Sequence, residues 1–187
     1  AKCVVLNSST CFAIYNALYE NIPLIYRYMT VTGDGVNQCN NFKVPLGCSH
    51  QYVAEKCGGL KDDVVKIISG GPMTGFAMSN LEVPVQKTSA SILAFTEDDV
   101  ASVEATNCIH CGRCVSVCPS NLVPQMLAKT VKQNNYSAFE DMGGMECVQC
   151  GCCSYICPAR IPLTHLFNVG KAEVRKELNK QKSQEVN

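Results

Sequence analysis

Two cysteine-rich runs decide how this chain is organised. The first reads Cys108-Ile-His-Cys111-Gly-Arg-Cys114-Val-Ser-Val-Cys118-Pro119, and the second reads Cys147-Val-Gln-Cys150-Gly-Cys-Cys153-Ser-Tyr-Ile-Cys157-Pro158. The second run begins 39 residues after the first, and six of their twelve aligned positions are identical. Because both runs share the spacing C-x₂-C-x₂-C-x₃-C-P, the sequence indicates an internal repeat that binds metal.

This spacing is typical of bacterial ferredoxins, in which the fourth cysteine of each run binds the other cluster. We therefore predict two [4Fe–4S] clusters with crossed ligand sets. The sets are Cys108, Cys111, Cys114 and Cys157 for the first cluster, and Cys147, Cys150, Cys153 and Cys118 for the second. Backbone N–H groups of the loops at Gly112 and Gly151 are expected to point at the sulfurs. Each closing proline turns the chain away from its cluster.

Other uses of these cysteines fit the pattern less well. Structural zinc uses thiolates in pairs of C-x₂-C knuckles, which a doubled triplet followed by Cys-Pro does not supply. The haem attachment sequence C-x-x-C-H is absent from the chain. Disulfides are disfavoured because nine of the fourteen cysteines are confined to residues 108–157 and no signal peptide is recognisable. With no acid–base pair or activated nucleophile, the chain has no predicted catalytic residue, and electron transfer is the predicted role.

The cysteines outside the two ligand sets have simpler interpretations. Cys152, between two predicted ligands, is predicted to be a packing residue. The remaining cysteines lack metal spacing and are predicted to be small buried hydrophobic residues: Cys3, Cys11, Cys39, Cys48 and Cys57. His110 and Arg113 lie among the ligands and are expected to face solvent or a partner. The Gly70–Gly75 stretch is either a structural turn or a phosphate cradle, and it lacks both the Rossmann and the Walker spacing.

Upstream of the repeat, two further regions are predicted. Residues 1–25 carry a strand at Lys2–Leu6, a helix cap within Asn7–Thr10 and a helix from about Cys11 to Glu20. They are expected to complete a domain that lies upstream. Residues 26–96 form a small β-grasp-like α+β module, in which Ser49 caps the one short helix. Its strands are predicted at residues 28–32, 42–44, 64–68, 83–85 and 91–95.

Residues 97–187 are predicted to be mostly helical around the cysteine loops. Three acidic residues, Glu97 to Asp99, are placed at a helix N-terminus. The longest helices are predicted over Pro124–Gln133 and about Pro162–Lys180, with a frayed polar end at residues 179–187.

Composition limits the classes of function. An apolar content of 47% with 17% charged residues fits a folded chain, and sixteen basic side chains balance sixteen acidic ones. Nucleic acid is therefore an unexpected partner, since its binding needs clustered positive charge. No apolar run approaches the 18 or so residues of a membrane span. The chain opens in an apolar stretch without Met, which favours a piece of a longer protein.

Several stretches together make the chain similar to a known family. These are Val31-Thr32-Gly33-Asp34, Phe42-Lys43-Val44-Pro45-Leu46-Gly47, the turn Ile68-Ser69-Gly70-Gly71-Pro72-Met73-Thr74-Gly75, and the doubled cysteine motif. In this order they resemble the C subunit of the Rnf electron-transport complex, of which the chain looks like the C-terminal half. The cysteine motif alone is common to many families, and the glycine-rich turn with the preceding module makes the resemblance specific.

The resemblance implies more than the spacing does. It implies a soluble-ligand-binding β-grasp module, an α-helical ferredoxin domain, and a role in moving electrons between reduced ferredoxin and NAD⁺ during Na⁺ or H⁺ pumping. The expected partners are the other subunits of the membrane complex and ferredoxin-type carriers, with a peripheral position on the cytoplasmic face. FMN and NADH are expected only in an N-terminal part of the family that has no counterpart here, so this chain alone would conduct electrons.

Two alternatives have a similar domain layout. One is a flavin-dependent iron–sulfur cobalamin reductase of bacterial microcompartments. The other is a β-grasp binding module whose clusters are only structural. The Cys118–Pro124 stretch and the first module favour the membrane complex.

Overall fold

A five-stranded mixed sheet and a set of helices make up the computed structural model, which describes residues 2–98 and 102–185. The chain divides between Asp98 and Asp99 into a unit that contains the sheet and a helical unit. The predicted mixed α+β class is therefore confirmed. Within the described ranges, no helix has both the length and the apolar character needed to cross a bilayer.

The first helix, α1 (Ser8–Tyr19), has the N-cap that its sequence predicts. The side chain of Asn7 accepts a hydrogen bond of 2.9 Å from the backbone N–H of Ser9. The strand predicted at Lys2–Leu6 is wrong, because these residues are exposed and have no regular structure. A strand needs a neighbour to satisfy its backbone groups, and none of the described strands pairs with this segment.

The sheet has the strand order β2-β1-β5-β3-β4. Its strands are β1 (Tyr26–Thr32), β2 (Asn40–Pro45), β3 (Lys66–Ser69), β4 (Phe76–Met78) and β5 (Ser91–Phe95). The central pair, β1 and β5, is parallel with Val31 opposite Ile92, and every other pair is antiparallel. Three successive residues of β5 are buried, as expected of a strand covered on both faces.

The sequence locates four of these five strands to within two residues. It misses β4 and wrongly predicts a strand at Val83–Val85. There the structure has only an isolated bridge between Ser49 and Pro84. Proline has no backbone N–H with which to extend a ladder, which accounts for the error.

A short helix, α2 (His50–Glu55), packs against the sheet. The hydroxyl of Ser49 accepts a hydrogen bond of 3.2 Å from the N–H of Tyr52, so the predicted cap is present. Val53 and Cys57 enter a hydrophobic core with strand residues that include Met29, Val31, Val44, Ile92 and Ala94. His50 is buried, and its ring nitrogens bond Val83 O at 2.7 Å and the Ser69 hydroxyl at 3.3 Å.

The glycine-rich stretch from Gly70 to Gly75 forms the loop of the β3–β4 hairpin, as its interpretation as a structural turn predicts. The N–H of Gly75 donates to Gly71 O at 2.8 Å. A side chain at Gly75 would place its Cβ 2.6 Å from that same oxygen, so the turn requires glycine there.

The helical unit contains α3 (Arg113–Ser116), α4 (Pro124–Lys132), α5 (Tyr136–Asp141), α6 (Cys152–Tyr155) and α7 (Leu163–Glu185), with a 3₁₀ turn at Gly144–Glu146. The two long predicted helices are confirmed. However, α7 continues through residues 179–185, where a frayed end was expected, and residues 186–187 lie outside the described ranges. The helix predicted to start at the acidic triplet is wrong for Glu97 and Asp98, which are not helical, and Asp99 is not described.

The core of the helical unit lies between α4, α5 and α7. Its largest fully buried side chains are Phe139, Phe167, Leu127 and Leu163. The rings of Phe139 and Phe167 pack with their centroids 6.3 Å apart. Cysteines of the two motifs pack on this core, so it supports the metal-binding loops directly.

Candidate metal centre

The eight cysteines of the two motifs line two separate pockets in the helical unit. The first pocket is lined by Cys108, Cys111, Cys114 and Cys157 among others. The second is lined by Cys147, Cys150, Cys153 and Cys118 among others. Among the residues that the structure describes, none lines both pockets. Each pocket thus combines three cysteines of one motif with the fourth cysteine of the other.

This arrangement fits the donor set of a [4Fe–4S] cluster, which takes four cysteine thiolates. Since each thiolate binds a different iron of the cube, the ligands surround a pocket rather than a single point. Among the described residues, no three side chains of His, Cys, Asp or Glu form a group that could hold one metal ion.

The backbone conformation repeats at the same 39-residue spacing as the sequence. Three positions per motif have positive φ angles, and each pair is separated by 39 residues: His110 and Gln149, Gly112 and Gly151, Asn121 and Arg160. The two glycines adopt the left-handed conformation immediately before α3 and α6. Left-handed backbone before and after a short helix bends the chain tightly around its pocket.

Hydrogen bonds of the two loops also correspond. The N–H of Cys118 donates to Val115 O at 3.2 Å, and the N–H of Cys157 donates to Ser154 O at 3.3 Å. Loops of different sequence therefore close in the same way, because the backbone and not the side chains makes these bonds.

Several polar groups contact the cysteine sulfurs. Backbone N–H groups of Gln149 and Leu122 donate to the sulfurs of Cys147 and Cys118, each at 3.4 Å. The Gln149 bond comes from the second glycine loop, where such a contact was expected. The Leu122 bond comes from the segment after Pro119 and was not anticipated. Donors to sulfur stabilise the thiolate form that binds iron.

Burial affects the thiols unevenly. Removal from water raises the pKa of Cys114 and that of Cys153, the only member of the two sets that is buried. Both thiols must lose their protons to bind metal, so loading of the pockets releases protons and becomes more favourable as pH rises.

Two side chains beside the sulfurs were not predicted from the sequence. Gln125, at the start of α4, accepts a hydrogen bond of 3.2 Å from the Cys114 thiol. Thr164, at the start of α7, lies 3.9 Å from the Cys153 sulfur through its hydroxyl. The two residues are 39 positions apart, so extending the repeat past the closing prolines would have found them.

A third missed residue is Lys171 on α7. Its side chain is buried, and its Nζ donates a hydrogen bond of 2.6 Å to the backbone carbonyl of Cys147. The only signal in the sequence is its position in the repeat, since it corresponds to Lys132.

Predictions for the other cysteines and for His110 are confirmed only in part. Cys152 lines neither pocket, and His110 lines the first. Cys57 is buried as predicted, and Cys48 is half-buried. The prediction is wrong for three exposed cysteines, Cys3, Cys11 and Cys39. Cys3 and Cys11 belong to the N-terminal segment around α1, a helix with no buried residue, so no core is available to them there.

Comparison with known proteins agrees with the repeat. The family described as a 4Fe-4S dicluster domain matches residues 107–161. Residues 107–161 contain both motifs and every predicted ligand.

Curated relatives match over much more of the chain. It is 46% identical over 125 residues to the C subunit of the proton-translocating ferredoxin:NAD(+) oxidoreductase complex of Clostridium ljungdahlii, covering 67% of this chain and 27% of the relative. It is 39% identical over 174 residues to the C subunit of the Na(+)-translocating complex of Acetobacterium woodii, covering 93% and 39%. The C subunit of an ion-translocating oxidoreductase complex from Methanosarcina acetivorans is 39% identical over 176 residues. The chain spans between a quarter and two fifths of the length of these relatives.

Proposed function

We propose that this chain, a homologue of part of the C subunit of the Rnf ion-translocating oxidoreductase complexes, is an electron-transfer module that holds two [4Fe–4S] clusters. The observation that carries the proposal is the sorting of eight repeat cysteines into two pockets of four. The dicluster family match and the names of the relatives support it. When bound, the clusters supply two one-electron redox centres.

The two crossed ligand sets are the groups we assign to these clusters. Cys108, Cys111, Cys114 and Cys157 would hold the first, and Cys147, Cys150, Cys153 and Cys118 would hold the second. Crossing has a structural consequence, because each site then depends on both motifs. Loss of a whole motif would therefore remove ligands from both sites, whereas loss of one ligand set would empty one site only.

The surrounding residues orient the thiolates and limit their contact with water. Left-handed glycines before α3 and α6 direct the chain around each pocket. The core beneath, including the fully buried Phe139 and Phe167, excludes water from the inner side of the sites. Donors such as the Gln149 N–H offset the negative charge that four thiolates bring together.

The sheet unit is proposed to be a β-grasp module of the soluble-ligand-binding type. A mixed sheet that contains one parallel pair and shares its hydrophobic core with the short helix α2 supports this assignment. Residues 26–96 are its proposed extent, after a segment at 1–25 that would complete an upstream domain. The helical unit at 97–187 is the proposed ferredoxin-type domain.

Within a full-length relative, we propose that this part passes electrons between an NADH- and FMN-containing site and ferredoxin-side partners. The complex would be a ferredoxin:NAD⁺ oxidoreductase that pumps ions, and this part would conduct electrons without oxidising NADH. Its position would be peripheral, on the cytoplasmic face of the membrane, next to other subunits. The names of the relatives favour this role over a cobalamin reductase.

Iron and sulfide quantitation of the anaerobically reconstituted chain, with EPR of the dithionite-reduced form, tests the proposal. We expect about eight irons and eight sulfides per chain and a spectrum of two spin-coupled clusters. Zinc in place of iron, or about four irons, would contradict two clusters. Clusters that bind but cannot be reduced would instead support a binding module with structural clusters.

A further inference from the structure

We propose that the buried ammonium group of Lys171 stabilises the reduced state of the cluster assigned to Cys118, Cys147, Cys150 and Cys153, and makes it the higher-potential cluster of the two. The inference rests on the proposed two-cluster function. It adds an order of potentials that neither the motif nor the family match specifies.

The position of Lys171 provides the geometric basis. The residue lies on α7, and only 7% of it is exposed to solvent. Its Nζ donates to the carbonyl oxygen of Cys147 at 2.6 Å, and Cys147 also lines the second pocket. The carbonyl and the sulfur belong to one residue, so the ammonium contacts the backbone of a proposed ligand.

The charge of this lysine lacks an ionic partner among the described residues. The ion pairs found there join Lys66 to Asp98 and Lys176 to Glu173, and none includes Lys171. A buried charge is costly unless an opposite charge compensates it. A cluster bound by four thiolates carries net negative charge, and it would provide that compensation next to Cys147.

The internal repeat supplies a built-in comparison. The residue of the first motif that corresponds to Lys171 is Lys132, 39 positions earlier at the end of α4. Lys132 is exposed to solvent, where water screens its charge. The two sites are therefore similar in ligands and backbone but differ in a buried positive charge.

This difference has a defined electrostatic sign. Reduction adds one electron and one unit of negative charge to a cluster, without proton transfer. A nearby positive charge in a poorly screened environment favours that change and raises the reduction potential. For one electron shared between the two clusters, the charge of Lys171 would favour its location on the second cluster.

The test is an anaerobic redox titration followed by EPR of the reconstituted full chain and four variants. Lys171→Met and Lys171→Gln remove the charge, and the Gln side chain can still donate a hydrogen bond. Lys171→Arg retains the charge, and Lys132→Met is the matched control at the exposed position. Iron and sulfide content are measured in every sample.

We expect Lys171→Met and Lys171→Gln to lower the higher of the two midpoint potentials. A change of about tenfold in the reduction equilibrium is expected, which is about 59 mV for a one-electron couple. Lys171→Arg and Lys132→Met should leave both midpoints close to those of the parent chain. If Lys171→Met does not fold, the difference in midpoint potential between Lys171→Gln and Lys171→Arg tests the role of the charge.

The inference is overturned if Lys171→Gln leaves both midpoints unchanged, if the lower midpoint is the one that falls, or if Lys171→Arg shifts the potential as much as Lys171→Gln. The last result would assign the effect to side-chain shape instead of charge. Failure of the parent chain to hold two clusters would contradict the proposed function itself, and the iron content distinguishes that outcome.

Discussion

The Cys114 thiol donates a hydrogen bond of 3.2 Å to the side-chain carbonyl of Gln125, eleven residues further along the chain. The second motif has the same separation between Cys153 and Thr164, whose hydroxyl lies 3.9 Å from the sulfur. The third cysteine of each motif is therefore met by a polar residue from the first turn of the following long helix. The two sites differ in this polar group, which is a side-chain amide at Cys114 and a hydroxyl at Cys153.

Replacing Gln125 with Leu should alter the first site without emptying it. A Cys114 thiolate has no proton to donate, so the amide is expected to present its NH₂ group to the sulfur. Loss of that bond should lower one midpoint potential by roughly 20–60 mV, the equivalent of about 0.5–1.5 kcal/mol. EPR-monitored redox titration measures this shift. Gln133→Leu, at the exposed end of α4, is the control, and an equal shift in both variants would refute the role of Gln125.

Adjacent cysteines provide a direct test of the ligand assignment. Cys153 lines the second pocket and Cys152 does not, although the two are neighbours on α6. We expect Cys153→Ala to lose about half of the bound iron and Cys152→Ala to retain about eight irons per chain. Metal analysis after anaerobic reconstitution checks both variants. Equal iron loss in the two would show that Cys152 contributes to the site.

The hydrophobic core below the pockets should determine the thermal stability of the helical unit and of the clusters bound in it. Phe139 is fully buried against Phe167, and its ring also occupies the space where a side chain at Gly144 would lie. Phe139→Ala should destabilise the helical unit by about 3–5 kcal/mol. On heating, the visible iron–sulfur absorption of this variant should disappear at a lower temperature than that of the parent chain. Phe12→Ala, at a half-exposed ring on α1, should leave this transition unchanged, and a similar loss there would contradict the prediction.

Cysteine alkylation should distinguish Cys57 from Cys39 in the sheet unit. Cys57 is 1% exposed, and burial raises the pKa of its thiol above the ordinary value of 9.0, whereas Cys39 is exposed. The thiolate is the reactive form, so Cys57 should react at least about tenfold more slowly at pH 8. Its rate should continue to rise above pH 9.0 because its proton is retained there. Mass spectrometry of iodoacetamide-treated protein measures both rates, and equal rates would contradict the burial of Cys57.

Patterns that arise from local chemistry were predictable from the sequence. The cap at Asn7, the cap at Ser49 and the strand Ser91–Phe95 all follow from a few adjacent residues. The two motifs are equally local, and their spacing predicts the two sets of four cysteines that the structure places around two pockets. Backbone geometry at Gly112 and Gly151 repeats because the glycines repeat.

Features that depend on residues distant in sequence were not predictable in this way. The short strand β4 exists because Phe76–Met78 pairs with β3 across the glycine turn, and its own three residues carry little signal. Burial of Lys171 depends on how α7 packs, and Lys132 shows that the same residue type at the corresponding position is exposed. Exposure of Cys3 and Cys11 was equally unpredictable, because an apolar pattern along α1 does not lead to burial where no core is present.

The iron content of two double variants distinguishes crossed from uncrossed ligand sets. Crossed ligand sets place Cys108 and Cys157 in the same site but Cys108 and Cys118 in different sites. We therefore expect Cys108→Ala with Cys157→Ala to keep one cluster, about four irons per chain, and Cys108→Ala with Cys118→Ala to lose most iron from both sites. The reverse result, with about four irons kept only by the Cys108 and Cys118 double variant, would mean that each motif holds its own cluster and that the ligand sets are not crossed.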